Sequence, residues 1–317
     1  MEYRGNEHQK SIMDNTPLLL DSSDRCARLP YLLRRWRYPA IRPTEALYEA
    51  IETGLTAESD VPWEVAEQAL YDLATTRGLD SNQTDVLAEA EHLSSLASFI
   101  TYILRPGGPW KRPEPIPLPN GTPWHPGAFL SPSESHLRRV VLCSRWDAYR
   151  MVEEEHDWRT LEGSIYGVPI DLVVIVLGQE RDGRRHGPLS RAYRHPVSKT
   201  LRFKKRDGED FGSTWERVWR ERDKATREEW LDALADDGVL PDVVQIHSVP
   251  VSGRDWCNIA LKKLERIMEA KEPPEESSSM CFDRVRPCAF RACCPKGEEP
   301  SEASGFVRLH HAADTAP

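Results

Sequence analysis

Residues 166 to 178 read YGVPIDLVVIVLG, and the fold turns on them. From Ile170 to Leu177 the chain is apolar except at Asp171, over a length that suits one strand rather than a helix. It is also far short of the 18 or more apolar residues of a membrane span, and no other run comes closer. Asp171 follows Gly167 and opens the strand. A carboxylate there is either a solvent-facing group at a strand edge or a metal ligand.

Working outward, further strands are expected at Leu137 to Cys143, Trp158 to Tyr166, Leu201 to Arg206 and Asp242 to Val251. On the N-terminal side two helices separated by a proline-marked break are expected between Arg25 and Gly54, with Gly54 as the stop. A third is expected from Pro62 to Arg77, with proline in its first turn and Gly78 beyond its end. The spacing of Val86, Leu87, Ala90, Leu93, Leu96, Ala97, Ile100 and Leu104 predicts one buried face on a fourth, Thr84 to Leu104. Residues 105 to 136 hold nine of the 25 prolines, and each removes an amide donor and restricts its predecessor. That segment is expected to hold no regular element and to be an ordered wrap or a linker. Later helices are expected near Trp146 to Glu153, at Thr214 to Arg222, at Thr226 to Ala235 with Thr226 and Glu229 as a capping box, and at Trp256 to Ala270.

These elements describe an α/β (α+β) chain, a small mixed sheet flanked by helices. The expected divisions are a leader (1–23), a helical region (24–110), a proline-rich connection (111–136), the core (137–250), a C-terminal helix with a cysteine cluster (251–296) and a disordered tail (297–317). At 317 residues, with 39% hydrophobic and 29% charged residues, the chain supports one large or two modest domains. The N-terminal MEYRGNEHQKSIMD has no apolar core and so no secretory pattern. An odd seven cysteines without an export signal favours a reducing, cytoplasmic setting over a disulfide framework.

Four of those cysteines stand in SSSMCFDRVRPCAFRACCP, residues 277 to 295: Cys281, Cys288, Cys293 and Cys294. Cys26, in SSDRCARLPYLLRR, is a fifth thiol far away in sequence. Disulfide, metal site and free tail thiols are all open readings; four soft ligands suit Zn2+ or an iron–sulfur cluster. The paired CxxC spacing of simple zinc sites is absent. Cys143 and Cys257 read as packed core thiols.

Net charge is −9, yet Arg181 to Arg206 carries ten Lys or Arg against one acid, Asp182. Local charge decides whether a phosphate backbone fits a surface, so this stretch is either a nucleic-acid contact or an ordinary solvated hairpin. Arg184, Arg185, Arg191 and Arg194, with Tyr193 and His186 among them, suit phosphates and a stacked base. Trp215, Trp219 and Trp230 read as core.

SSDRCARLPYLL near one end, MCFDRVRPCAFRACC near the other and YGVPIDLVVIVLG between them resemble the iron–sulfur branch of the PD-(D/E)XK nuclease superfamily. That branch is the RecB-like exonuclease module of the AddB and Cas4 proteins and of many phage genomes. The resemblance implies that Cys26, Cys281, Cys288 and Cys294 ligate a 4Fe-4S cluster that staples the two ends of a nuclease-like core. It implies that Asp171 and a second acid hold Mg2+ or Mn2+, while a lysine, Lys199 or Lys204, orients the attacking water. The family's Glu-x-Lys is not cleanly present, since Val197 and Arg202 stand where the acid belongs. Glu162 is the candidate second acid, with Glu180, Glu209, Glu64 and Glu67 as others. The implied activity is hydrolysis of DNA from an end or on single strands, with a helicase or another recombination or replication protein as partner. The alternatives are a catalytically degenerate DNA-binding or assembly protein on the same fold, and a zinc-stapled structural protein. Neither a GxSxG elbow nor a GxxxxGK[ST] loop is present, which argues against a serine hydrolase and a nucleotide-driven motor.

Overall fold

In a computed structural model of the chain, the described residues are 40–80, 86–105, 108–117, 126–130, 136–143, 162–177 and 243–249, with shorter pieces at 32, 36–37, 123–124, 179–181, 184–186, 232, 251, 262, 266–267, 300–302 and 306–308. In chain order they form β1 (Trp36–Arg37), α1 (Pro43–Thr56), α2 (Pro62–Arg77), α3 (Val86–Leu104), β2 (Ile116–Pro117), β3 (Pro123–Trp124), β4 (Phe129–Leu130), β5 (Leu137–Cys143), β6 (Ile170–Val176), β7 (Gln179–Arg181), β8 (Arg184–His186), β9 (Val244–Val249) and β10 (Val307–Arg308). The expected helices at 146–153, 214–222 and 226–235 and the strand at 201–206 lie outside the described residues, apart from Asp232. So does most of 256–270, of which residues 262, 266 and 267 are helical.

The architecture is mixed α+β, a small sheet flanked by helices. Helices α1 and α2 each begin with a proline, whose fixed φ suits the first turn and whose missing N–H costs nothing there. α2 stops where the sequence says it should: Gly78 has φ +72°, and its amide donates to the Ala74 carbonyl at 3.0 Å. α1 does not stop at Gly54 but runs through it to Thr56. Gly54 is a packing notch. A Cβ there would stand 2.7 Å from Ala66 Cβ and 2.8 Å from both the Pro62 carbonyl oxygen and Thr101 Cγ2, so its absence lets the three helices close on one another.

The four-stranded sheet has the order β4-β5-β6-β9, with β5 and β6 parallel and the outer pairs antiparallel. All seven residues of β6 are buried. Period-2 alternation divides its neighbourhood between two cores. Val173, Ile175 and Leu177 join Val140 and Leu142 against Leu47, Ile51, Leu55, Leu96 and Ile100 of the helices. Leu172, Val174 and Val176 join Val141, Cys143 and Val249 on the other face. Burial of a strand on both faces explains its continuous apolar run. Each of these aliphatic side chains contributes on the order of 1.5–3 kcal/mol by leaving water. Cys143 is a buried thiol in this second core.

Two expectations change locally. The strand expected up to Tyr166 is helical over residues 162 to 166. Gly167, at φ +69°, ends that turn, and the Val168 amide donates to the Gly163 carbonyl at 3.0 Å, the reversal that closes many helices. The proline-rich segment is not wholly irregular: β2 pairs with β3 and β4 pairs with β5. The β2–β3 ribbon is two residues long and sets Pro117 opposite Pro123, so little ladder hydrogen bonding is lost to proline.

The N- and C-terminal segments meet in a short ladder. β1 pairs with β10, placing Trp36 opposite Arg308 and Arg37 opposite Val307, and Phe306 beside them is buried. Cys26, Cys281, Cys288 and Cys294 lie outside the described residues.

Replacing Gly54 by alanine would normally favour a helix, yet here three atoms resist the added methyl. We expect Gly54→Ala to lower stability by about 1–3 kcal/mol, read as a reduced urea midpoint with an unchanged slope.

Candidate functional site

The head of β6 carries a polar cluster. Parallel pairing sets Arg138 of β5 opposite Asp171, and antiparallel pairing sets Ser248 of β9 opposite it on the other side. The Asp171 carboxylate is buried, 6% exposed. Ser248 Oγ donates to Asp171 Oδ1 at 2.6 Å, and His136 Nδ1 stands 3.3 Å from Oδ2. The imidazole side chain is 40% exposed. Because the carboxylate lies between hydroxyl and imidazole, this is not a Ser–His–Asp relay, in which the imidazole must sit in the middle. Asp171 instead holds His136 in orientation and accepts from Ser248.

Glu162 is spent elsewhere. It is fully buried, and its Oε1 accepts the amides of Gly127 (2.6 Å) and Ala128 (3.1 Å). These charge-assisted bonds satisfy donors of the proline-rich segment. The surrounding charges extend the same lock: Glu52 on α1 receives Arg112 Nη2 at 3.2 Å and Arg139 Nη1 at 3.1 Å. Arg112 also donates to the Pro126 carbonyl and Arg139 to that of Gly127, each at 3.0 Å. Tyr166 donates to the Glu114 carbonyl at 3.1 Å. Burial pushes the Tyr166 phenol above its usual range, and the Glu162 carboxylate reinforces this against the opposing pull of Arg112.

This geometry corrects the expected metal centre. Asp171 and Glu162 are each engaged by their own protein donors, and among the described residues no three His, Cys, Asp or Glu side chains converge as a metal requires. The other candidate acids do not complete a site. Glu64 is exposed and Glu67 half-buried on α2, Glu180 stands opposite Arg185 in β7–β8, and Glu209 lies outside the described residues. Lys199 and Lys204 lie outside them as well. No family model matches the chain, and neither a curated protein nor a solved structure matches it. The assignment to the iron–sulfur nuclease branch is therefore withdrawn, and with it the Mg2+- or Mn2+-dependent deoxyribonuclease, the 4Fe-4S cluster and the degenerate and zinc-stapled variants. No helix among the described residues is long and apolar enough to cross a membrane.

Of the basic residues singled out, Arg184 and Arg185 lie on β8, while Arg191 and Arg194 lie outside the described residues. β7 and β8 pair antiparallel as a hairpin. The hairpin begins two residues after β6 and its buried continuation Leu177. His136 and Ser248 were missed in the sequence, because they come to Asp171 from 35 and 77 residues away and no local spacing marks them.

Glu162→Ala leaves the Gly127 and Ala128 amides buried without this acceptor, so we expect a loss of about 1–3 kcal/mol per amide in urea denaturation. Glu162→Gln keeps a carbonyl acceptor and is expected to lose less. A raised phenol pKa means that the unfolded chain releases its Tyr166 proton first as pH climbs past about 10. Stability contributed by the neutral phenol is therefore complete below that pH and is lost above it. Tyr166→Phe should flatten the alkaline fall in melting temperature and remove one late-titrating tyrosine from the ultraviolet titration.

Proposed function

We propose that this chain binds the phosphodiester backbone of DNA through the basic β7–β8 hairpin and the cationic segment that follows it to Arg206. The observation that carries this reading is the contrast of local and total charge on a defined element. Residues 181 to 206 sum to +9 in a chain of −9, and the stretch begins as a hairpin attached to the most deeply buried strand. The anionic remainder of the protein repels a polyanion while the cationic stretch attracts it, so approach is favoured in the orientation where that stretch leads. Tyr193 and His195 among the arginines favour a nucleic acid over a plain anionic surface, since bases offer π-faces as well as phosphates. Hydrolysis forms no part of this proposal.

Fluorescence anisotropy with labelled single-stranded and duplex DNA, repeated across a salt series, tests it. Binding with Kd on the order of 10⁻⁴–10⁻⁶ M near physiological salt, weakening linearly on a log–log plot as salt rises, is the expected result. Combined Arg184→Glu, Arg191→Glu and Arg194→Glu substitution should abolish it. Absence of binding at low salt, or binding indifferent to those reversals, refutes the proposal.

A further inference from the structure

Asp171 and His136 form a dyad with one reactive atom left over. A carboxylate only accepts hydrogen bonds, so His136 Nδ1, 3.3 Å from Asp171 Oδ2, must carry its hydrogen. In a neutral imidazole the other nitrogen then keeps a lone pair. The ring is 40% exposed and Nε2 has no hydrogen-bond partner among the described residues, so that lone pair meets solvent. Ser248 donates to Asp171 Oδ1 at 2.6 Å and fixes the carboxylate from its other side. Beside the dyad stands an apolar side chain that the core does not take up: Ile246 on β9 is 57% exposed. It lies opposite Val173 as Ser248 lies opposite Asp171. Residues two apart share a face of a sheet, so Ile246 and the dyad are on the same side, with Ile246 about 7 Å along β9 from Ser248.

From this arrangement we infer that His136 is a nucleophilic imidazole for small esters of apolar or aryl alcohols, with Asp171 as its positioning residue and Ile246 as the seat of the apolar group. Nε2 gives its electron pair to the carbonyl carbon, the bond from that carbon to the ester oxygen breaks, and the alkoxide or aryloxide leaves with the pair. The Nδ1 proton passes to solvent by way of Asp171 Oδ2, which leaves a neutral acyl-imidazole. Water then adds to the acyl carbon, the carbon–nitrogen bond breaks with its pair returning to Nε2, and one water hydrogen goes back to Nδ1 as the carboxylic acid departs. Ser248 is not the nucleophile, because its hydroxyl hydrogen is given to Asp171 and not to the imidazole. The inference lies outside the DNA-binding reading and does not depend on it.

The experiment follows p-nitrophenolate release from p-nitrophenyl acetate by the full chain, while heteronuclear NMR of the histidine-labelled chain reads which nitrogen of His136 carries the hydrogen. Wild type should turn the ester over faster than free imidazole at the concentration of its ten histidines, with His136 in the Nδ1–H form. His136→Ala, at a half-exposed position, should remove that excess. An asparagine amide donates as well as accepts, so Asp171→Asn lets Nδ1 become the acceptor and moves the hydrogen to Nε2. It should lose the excess together with the inverted tautomer, which a merely structural carboxylate would not produce. Ile246→Ser should raise KM and leave kcat in place. A wild-type rate no greater than that of His136→Ala, or an Nε2–H ring in wild type, overturns the inference even if Asp171→Asn fails to fold. An Asp171→Asn chain that keeps both turnover and tautomer overturns the role of Asp171, and an unchanged KM in Ile246→Ser overturns the apolar seat.

Discussion

Glu52 holds two arginines at once, and through them one carboxylate on α1 ties the helices to the sheet and to the proline-rich connection. The constraint behind this is backbone chemistry. A segment with nine prolines in 32 residues is short of amide donors and builds only a two-residue ladder of its own, so side chains supply further bonds. Arg112 and Arg139 take the carbonyls of Pro126 and Gly127, while Glu162 takes the amides of Gly127 and Ala128. Once pinned, the segment delivers Trp110, Trp124 and Phe129 into buried positions and sets β4 against β5. Arg112 lies over the Phe129 ring at 4.7 Å, so the same cation serves packing as well as charge balance.

That lock also settles what Glu162 does. A carboxylate with no solvent exposure is costly unless its oxygens are satisfied, and satisfying backbone amides leaves it a structural group rather than an acid waiting for a cation. Asp171 is different in degree: its partners are side chains, one of them an exposed imidazole, and they sit where three strands end together. Two acidic residues that look equivalent as letters thus occupy distinct chemical situations, fixed by donors from remote parts of the chain.

How much was legible follows from range. α2 is read to the residue because proline at one end and glycine at the other act locally. β5 and β6 are read because an apolar run of strand length needs no distant information. α1 is misjudged at Gly54, since a glycine that ends a helix and a glycine that admits a neighbouring helix are the same letter. The turn at residues 162 to 166 is misjudged because GSIYG offers β-branched and aromatic residues that suit a strand, while the Gly163–Val168 bond decides otherwise. The partners of Asp171, the parallel pairing of β5 with β6 and the two-arginine clamp on Glu52 are all products of tertiary contact. They leave no periodicity to find.

Pairing of β1 with β10 bears on the order in which the molecule assembles. From Arg37 to Val307 the two short strands enclose a ring of nearly the whole chain. Closing a flexible ring of roughly 270 residues costs about 5 kcal/mol in chain entropy, growing only slowly with length. Two paired residues return about 1 kcal/mol per hydrogen bond and cannot offset that from an open coil. The ladder becomes affordable only after the helical bundle and central sheet have drawn its two halves near each other. It therefore closes after the elements between its strands, not before them.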